Sequence, residues 1–251
     1  MLKAFSLSDI GKKRQINQDC VDISLTPVGN LPNLLLLADG MGGHKAGDYA
    51  SKYTIDVIKQ EVNVSPETNP VHIFAEAIEY ANAHLYDKSM KDINYQGMGT
   101  TLVAATCIEH KLTVANIGDS RLYLIRQNKM VQVTKDHSYV AELMEKGGLD
   151  KESAKNHPKK NYITRAVGAF EKAKADYFYA EIKSGDVILI CSDGLTNMLA
   201  DEEILTIIYQ ENDLECTCNK LIQAANEKGG YDNISVIVAR YMEAGKESPI
   251  R

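Results

Sequence analysis

Every residue from Leu34 to Ala38 is apolar, and the run ends on Asp39-Gly40-Met41-Gly42-Gly43-His44. An apolar run this short, followed by a helix-periodic segment from Ala46 to Val62, reads as a fully buried strand. An acidic group at its end, on a glycine-rich turn, leaves room for another group to approach the backbone closely. That is how a metal or a phosphate is usually met. A plain Asp-Gly turn is the competing reading for one such pair taken alone. Other parts of the chain must converge on Asp39 for the first reading to hold.

The remaining pattern indicates α+β. Residues 2–7 and 20–25 alternate as half-buried strands, with Gly11 to Asp19 between them. Two helices follow the apolar strand, one carrying Ala50, Tyr53, Val57 and Ile58 on a face, the other Phe74, Ala77, Ile78, Ala81 and Leu85; Pro66 and Pro70 separate them. Short strands are expected at 100–108, 112–117, 121–126 and 130–133, then a helix at 137–146. Further strands are expected at 176–182, 187–191 and 234–241, with helices at 201–211 and 214–227 between the last two. Helices arriving in pairs between strand blocks with hairpin-length turns indicate two mainly antiparallel sheets with helices packed outside. We expect one domain over 1–242, a flap at 147–168 for which disorder is the alternative, and a flexible tail at 243–251.

Lys and Arg total 28 against 34 Asp and Glu, so bulk charge makes no case for nucleic acid or an anionic membrane surface. No apolar run reaches the ~20 residues that span a bilayer. The five cysteines are odd in number and lack Cys-x-x-Cys spacing, which fits a reducing cytosol. A soluble cytoplasmic protein, without nucleic-acid partners or membrane insertion and acting as a monomer, is the expectation.

Asp39, Asp119, Asp193 and Asp232 stand at strand ends beside glycines or turn residues. Asp39-Gly40 and Asp193-Gly194 each follow an apolar strand and lead towards a helix, so a two-residue hairpin does not fit them. For Asp119 and Asp232 an ordinary turn explains the local pattern equally well. Taken together, carboxylates without accompanying Cys or His ligands select hard cations, Mg²⁺ or Mn²⁺. Such a cluster would repel itself unless divalent cations were present. Two ions about 3.5–4 Å apart can lower the pKa of a shared water and present it to phosphorus. Phosphoester hydrolysis is the chemistry that follows.

At this point the chain resembles the metal-dependent Ser/Thr protein phosphatases of the type 2C (PPM) family, in their compact bacterial form. The motifs are Arg14-Gln15-Ile16-Asn17-Gln18-Asp19, Asp39-Gly40-Met41-Gly42-Gly43, Gly99-Thr100-Thr101, Gly118-Asp119-Ser120-Arg121, Asp136-His137-Ser138, Ser192-Asp193-Gly194 and Asp232-Asn233. The resemblance implies a β-sandwich of two sheets flanked by helix pairs, an αββα arrangement. It implies two or three Mn²⁺ or Mg²⁺ ions. Asp39 would bridge the first two, with the Gly40 carbonyl on the second and Asp193 and Asp232 completing the first. Asp19 and Gln18 would act through water, and Asp119 with Asp193 would hold the third. Arg14 matches the phosphate-binding arginine, a role its two-pronged guanidinium suits. The implied substrates are phosphoserine and phosphothreonine proteins, with a cognate eukaryotic-like Ser/Thr kinase as the opposing partner. Met41 stands where many eukaryotic members carry the histidine proposed as general acid. That leaves the acid unassigned, with His44, His137 and a metal-bound water as candidates.

Overall fold

A computed structural model of the chain describes residues 1–43, 46–150, 153–154 and 156–242. His44 and the tail at 243–251 lie outside the described residues. One sheet runs in the order β1 (Leu2–Asp9), β11 (Ile234–Tyr241), β10 (Val187–Cys191), β7 (Arg121–Arg126), β8 (Lys129–Gln132). The other runs β2 (Asp19–Ser24), β3 (Leu34–Met41), β5 (Leu102–Ile108), β6 (Lys111–Ile117), β9 (Asp176–Glu181), with the short β4 (Gly99–Thr100) also on β3. Every pairing between named strands is antiparallel.

The apolar strands have no polar face because each lies between two layers. On β3, Leu34, Leu36 and Ala38 pack under helices α1 (Ala46–Val64) and α2 (Pro70–Lys91), beside Ile58, Phe74 and Leu85. Leu35 and Leu37 point the other way and meet Ile188, Ile190 and Ile237 of the facing sheet. On β10, Val187, Leu189 and Cys191 pack against Ile204, Leu221 and Ile222 of the second helix pair, α4 (Asp201–Gln210) and α5 (Leu214–Glu227). The four layers are therefore helices, sheet, sheet, helices, the expected αββα order.

Two of the boundaries that differ from the sequence expectation have a visible cause. The strand read as ending at Ala38 continues through Met41, because Gly40 and Met41 pair with Thr100 and Gly99 of β4. Pro70, read as a separator, is the first residue of α2, with the Asn69 side chain accepting from the Val71 N–H. The helix expected at 137–146 is α3 (Tyr139–Glu145), capped by Ser138. Within the segment expected as a flap, Thr100 and Val167 exchange backbone hydrogen bonds of 3.0 and 2.8 Å, and the Thr164 N–H donates to the His137 carbonyl at 2.8 Å.

Leu36 is fully buried between α1/α2 and its sheet. Leu36→Ala is expected to cost ~2–5 kcal/mol, read as a lower urea midpoint with an unchanged slope. A loss below about 0.5 kcal/mol would mean that this layer contact contributes little.

Candidate metal centre

Antiparallel pairing brings the start of one strand beside the end of its neighbour. β3 ends where β2 begins, and Asp39 is paired in register with Asp19. Directly opposed residues share a sheet face, so both carboxylates lie on one side. That side is fixed by alternation: Leu35 and Leu37 face the other sheet, and Asp39 is next in their row. Across the sandwich, β10 ends at Cys191, two residues before Asp193, beside the start of its partner β11 at Ile234, two residues after Asp232. A Cβ on Gly194 would collide with the Asn233 carbonyl, so only glycine lets the two turns close together. Asp119 follows β6 on the Gly118 turn, φ +99°, against Thr101.

The support beneath these carboxylates is dense. The Asp39 N–H donates to Thr101 Oγ1 at 2.9 Å, and that hydroxyl is 2.8 Å from Ser120 Oγ. Ser192 Oγ donates to Asp19 Oδ2 at 2.7 Å and accepts the Ser235 N–H at 3.0 Å. Asn233 binds the Arg14 loop: its Oδ1 accepts from the Gln18 N–H, and its Nδ2 donates to the Ile10 and Ile16 carbonyls. The Lys12 N–H donates to the Gly230 carbonyl at 2.8 Å. Thr101, Ser192 and Asn233 lie inside motifs quoted above, yet nothing in their local sequence assigns them these bonds.

Electrostatically the cluster is strained. Burial first, then Asp19, Asp193, Asp119 and Asp232, push the Asp39 carboxyl well above its ordinary range. Asp193 is raised the same way, by burial and by Asp119, Asp232 and Asp19. Burial raises Asp19 to about 6 and Asp119 to about 6. Asp19 Oδ1 is buried without a hydrogen-bond partner. A set of oxygen donors that repel one another, with an orphaned buried oxygen among them, fits hard divalent cations. Gly40 contributes in the same place, since a Cβ there would strike the Gly47 carbonyl.

Local partners hold several of these groups. Arg14 Nη2 is 2.7 Å from Asp232 Oδ2, and Asn197 Nδ2 donates to Asp193 Oδ2 at 3.0 Å. Among the described residues no three His, Cys, Asp or Glu side chains already close on one point that could take an ion. The Gln18 side chain lies against Gly47, with Nε2 at 3.5 Å from the Gly42 carbonyl, and the Gln18 backbone carbonyl accepts the Gly40 N–H at 3.0 Å. Arg165 donates to Asp176 Oδ1 at 2.8 Å, so its guanidinium is already paired.

The pKa shifts fix a pH dependence for the metal-free chain. A carboxyl raised in the folded state binds its proton more tightly there than when unfolded, so this contribution to stability is full below about pH 4 and is lost as pH rises through about 6. In chelator, the urea midpoint is expected to fall between pH 5 and pH 7 for the parent and to flatten for Asp19→Asn. A midpoint that rises over that interval and is insensitive to Asp19→Asn would contradict the crowded-carboxylate geometry.

Comparison with known proteins agrees with this geometry. The family model described as "Protein phosphatase 2C" matches residues 28–234. "Protein phosphatase PhpP" of Streptococcus pneumoniae serotype 2 is 37% identical over 244 residues, which is 96% of this chain and 98% of that protein. The serine/threonine phosphatase stp of Listeria monocytogenes serovar 1/2a is 38% identical over 237 residues, 92% of each chain. Among solved structures, the S. agalactiae serine/threonine phosphatase matches with a TM-score of 0.90 at 35% identity, over 97% of this chain and 100% of that one. The catalytic domain of PstP in complex with 2 manganese ions matches with a TM-score of 0.85 at 32% identity, over 96% and 99% of the two chains. The chain belongs to the protein phosphatase 2C family and is a metal-dependent protein phosphatase.

Proposed function

We propose that the chain hydrolyses phosphoserine and phosphothreonine in proteins, using two or three Mn²⁺ or Mg²⁺ ions held at the aspartate cluster. The observation that carries this reading is the convergence of Asp19, Asp39, Asp119, Asp193 and Asp232, in which burial and the neighbouring carboxylates disfavour the ionised forms of Asp39 and Asp193. Asp39 would serve two cations, with the Gly40 carbonyl on one and Asp193 and Asp232 on the other. Asp19 and Gln18 would act through water, and Asp119 with Asp193 would take a third. When bound, the cations would neutralise the cluster, make a water more acidic and draw charge from the phosphoryl oxygens.

The chain's own groups then position the reactants. Arg14 is exposed on a loop seated by Asn233 and the Gly230 carbonyl, so its guanidinium can meet phosphate at the rim of the cluster. Its present partner, Asp232, ties that guanidinium to the cluster through a bond that phosphate would share or replace. Water adds to phosphorus, the bond from phosphorus to the Ser or Thr oxygen breaks, and that oxygen takes a proton. His137 does not supply it: the ring is 3% exposed with both nitrogens engaged. We assign the proton to solvent. The likeness to PhpP and stp, a protein phosphatase and a serine/threonine phosphatase by name, supports phosphoprotein substrates, whose phosphoserine and phosphothreonine would be the products of an opposing Ser/Thr kinase; the five free thiols fit a reducing cytoplasm.

Phosphate release from a phosphothreonine peptide and from an aryl phosphate in Mn²⁺ tests this reading. Chelator is expected to abolish it, and Asp193→Asn to lower kcat by more than about 10²-fold. Arg14→Ala is expected to raise KM for both substrates while leaving the Mn²⁺ requirement in place. Turnover that survives chelation or Asp193→Asn would overturn the mechanism, and binding of the peptide without turnover would make the chain a phosphopeptide-binding module.

A further inference from the structure

We propose that His137 is a positioning residue: its ring holds the Asp119 turn, through the Gly118 N–H, in the orientation needed for the cation that Asp119 and Asp193 would take. This rests on the proposed role of Asp119.

The Gly118 N–H donates to His137 Nδ1 at 3.1 Å. With that nitrogen accepting, the ring proton sits on Nε2, 3.0 Å from Asp176 Oδ2. Asp176 Oδ1 in turn accepts from Arg165 at 2.8 Å. The ring is thus gripped from both ends, and burial disfavours its protonated form. At 3% exposure no water can replace either bond. What the ring holds is a turn with little other freedom to be correct. Gly118 has φ +99° and packs on Thr101, the same threonine whose Oγ1 accepts the Asp39 N–H. Asp119 is the next residue. A small rotation of this turn would leave the fold intact and move the Asp119 carboxylate relative to Asp193.

A purely structural role would be anchoring the chain ahead of α3. The backbone already does that: the His137 N–H donates to the Gly118 carbonyl at 2.9 Å, and its carbonyl accepts the Thr164 N–H at 2.8 Å. Both bonds survive any substitution except proline. The side chain therefore adds something separable, the Nδ1 contact to Gly118 and the Nε2 contact to Asp176. These two can be tested apart, because an Asn side chain offers an acceptor where Nδ1 lies and a Gln side chain offers a donor where Nε2 lies.

The experiment compares the parent with His137→Asn, His137→Gln, His137→Ala and Asp119→Asn, each checked for folding by thermal melting in chelator. Mn²⁺ bound per chain is read by the spin resonance of free Mn²⁺, alongside kcat and KM on an aryl phosphate. His137→Ala and His137→Gln are expected to weaken the last Mn²⁺ to bind by about 10–100-fold and to lower kcat with KM nearly unchanged. His137→Asn is expected to stay within a few-fold of the parent. Equal behaviour of the Asn and Gln variants, or parent-like Mn²⁺ binding by His137→Ala, would overturn the inference. If His137→Ala does not fold, the Asn against Gln comparison decides. Asp119→Asn separates the two levels: if it leaves Mn²⁺ binding untouched, the reading of Asp119 as a ligand fails and the inference with it. If it removes an ion while His137→Ala does not, only the inference about His137 fails.

Discussion

The mutual repulsion of Asp19, Asp39, Asp119, Asp193 and Asp232 is the constraint that the rest of the molecule has to withstand. Carboxylates brought together at the end of a sandwich are driven apart by charge and penalised by lost hydration. Nothing in their own chemistry keeps them together. What does so is the packing of two sheets between two helix pairs, where Leu35, Leu37, Ile188, Ile190 and Ile237 close the interior directly behind Asp39.

Topology converts that packing into a site. In an antiparallel sandwich, strand ends and strand starts collect at the same edge, and each turn there carries one acidic residue. Small residues at the turns allow the close approach, notably Gly40 against Gly47 and Gly194 against Asn233. Hydroxyl and amide side chains then fix the backbone that carries the carboxylates: Thr101 for Asp39, Ser192 for Asp19, Asn233 for the Arg14 loop. This division leaves the carboxylates crowded and their supports satisfied, which is the expected signature of a site built to be neutralised by something bound.

Much of the fold is legible in the sequence because burial on two faces erases the alternation that an exposed strand would show. Leu34 to Ala38 and Val187 to Cys191 read as interior strands for that reason. The end of β3 is not legible, since Gly40 and Met41 continue the strand only by pairing with Gly99 and Thr100, far along the chain. Asp39 and Asp193 stand out by their passage from strand to helix. Asp119 and Asp232 are ordinary turn residues locally, and only the folded chain brings them near the others. Asp176 gives no local signal at all: it is the first residue of a strand, and its contact with His137 spans 39 positions.

The stability of Asp39→Asn at neutral pH, without and with Mn²⁺, tests most directly whether the cluster is held together against its own charge for the sake of bound cations. In chelator the variant is expected to unfold at a higher urea concentration than the parent, because it removes the charge that burial and four neighbouring aspartates disfavour. In Mn²⁺ the order is expected to reverse, with the parent gaining stability that the variant does not. A variant less stable than the parent in chelator, yet gaining as much from Mn²⁺, would contradict the electrostatic basis of the site.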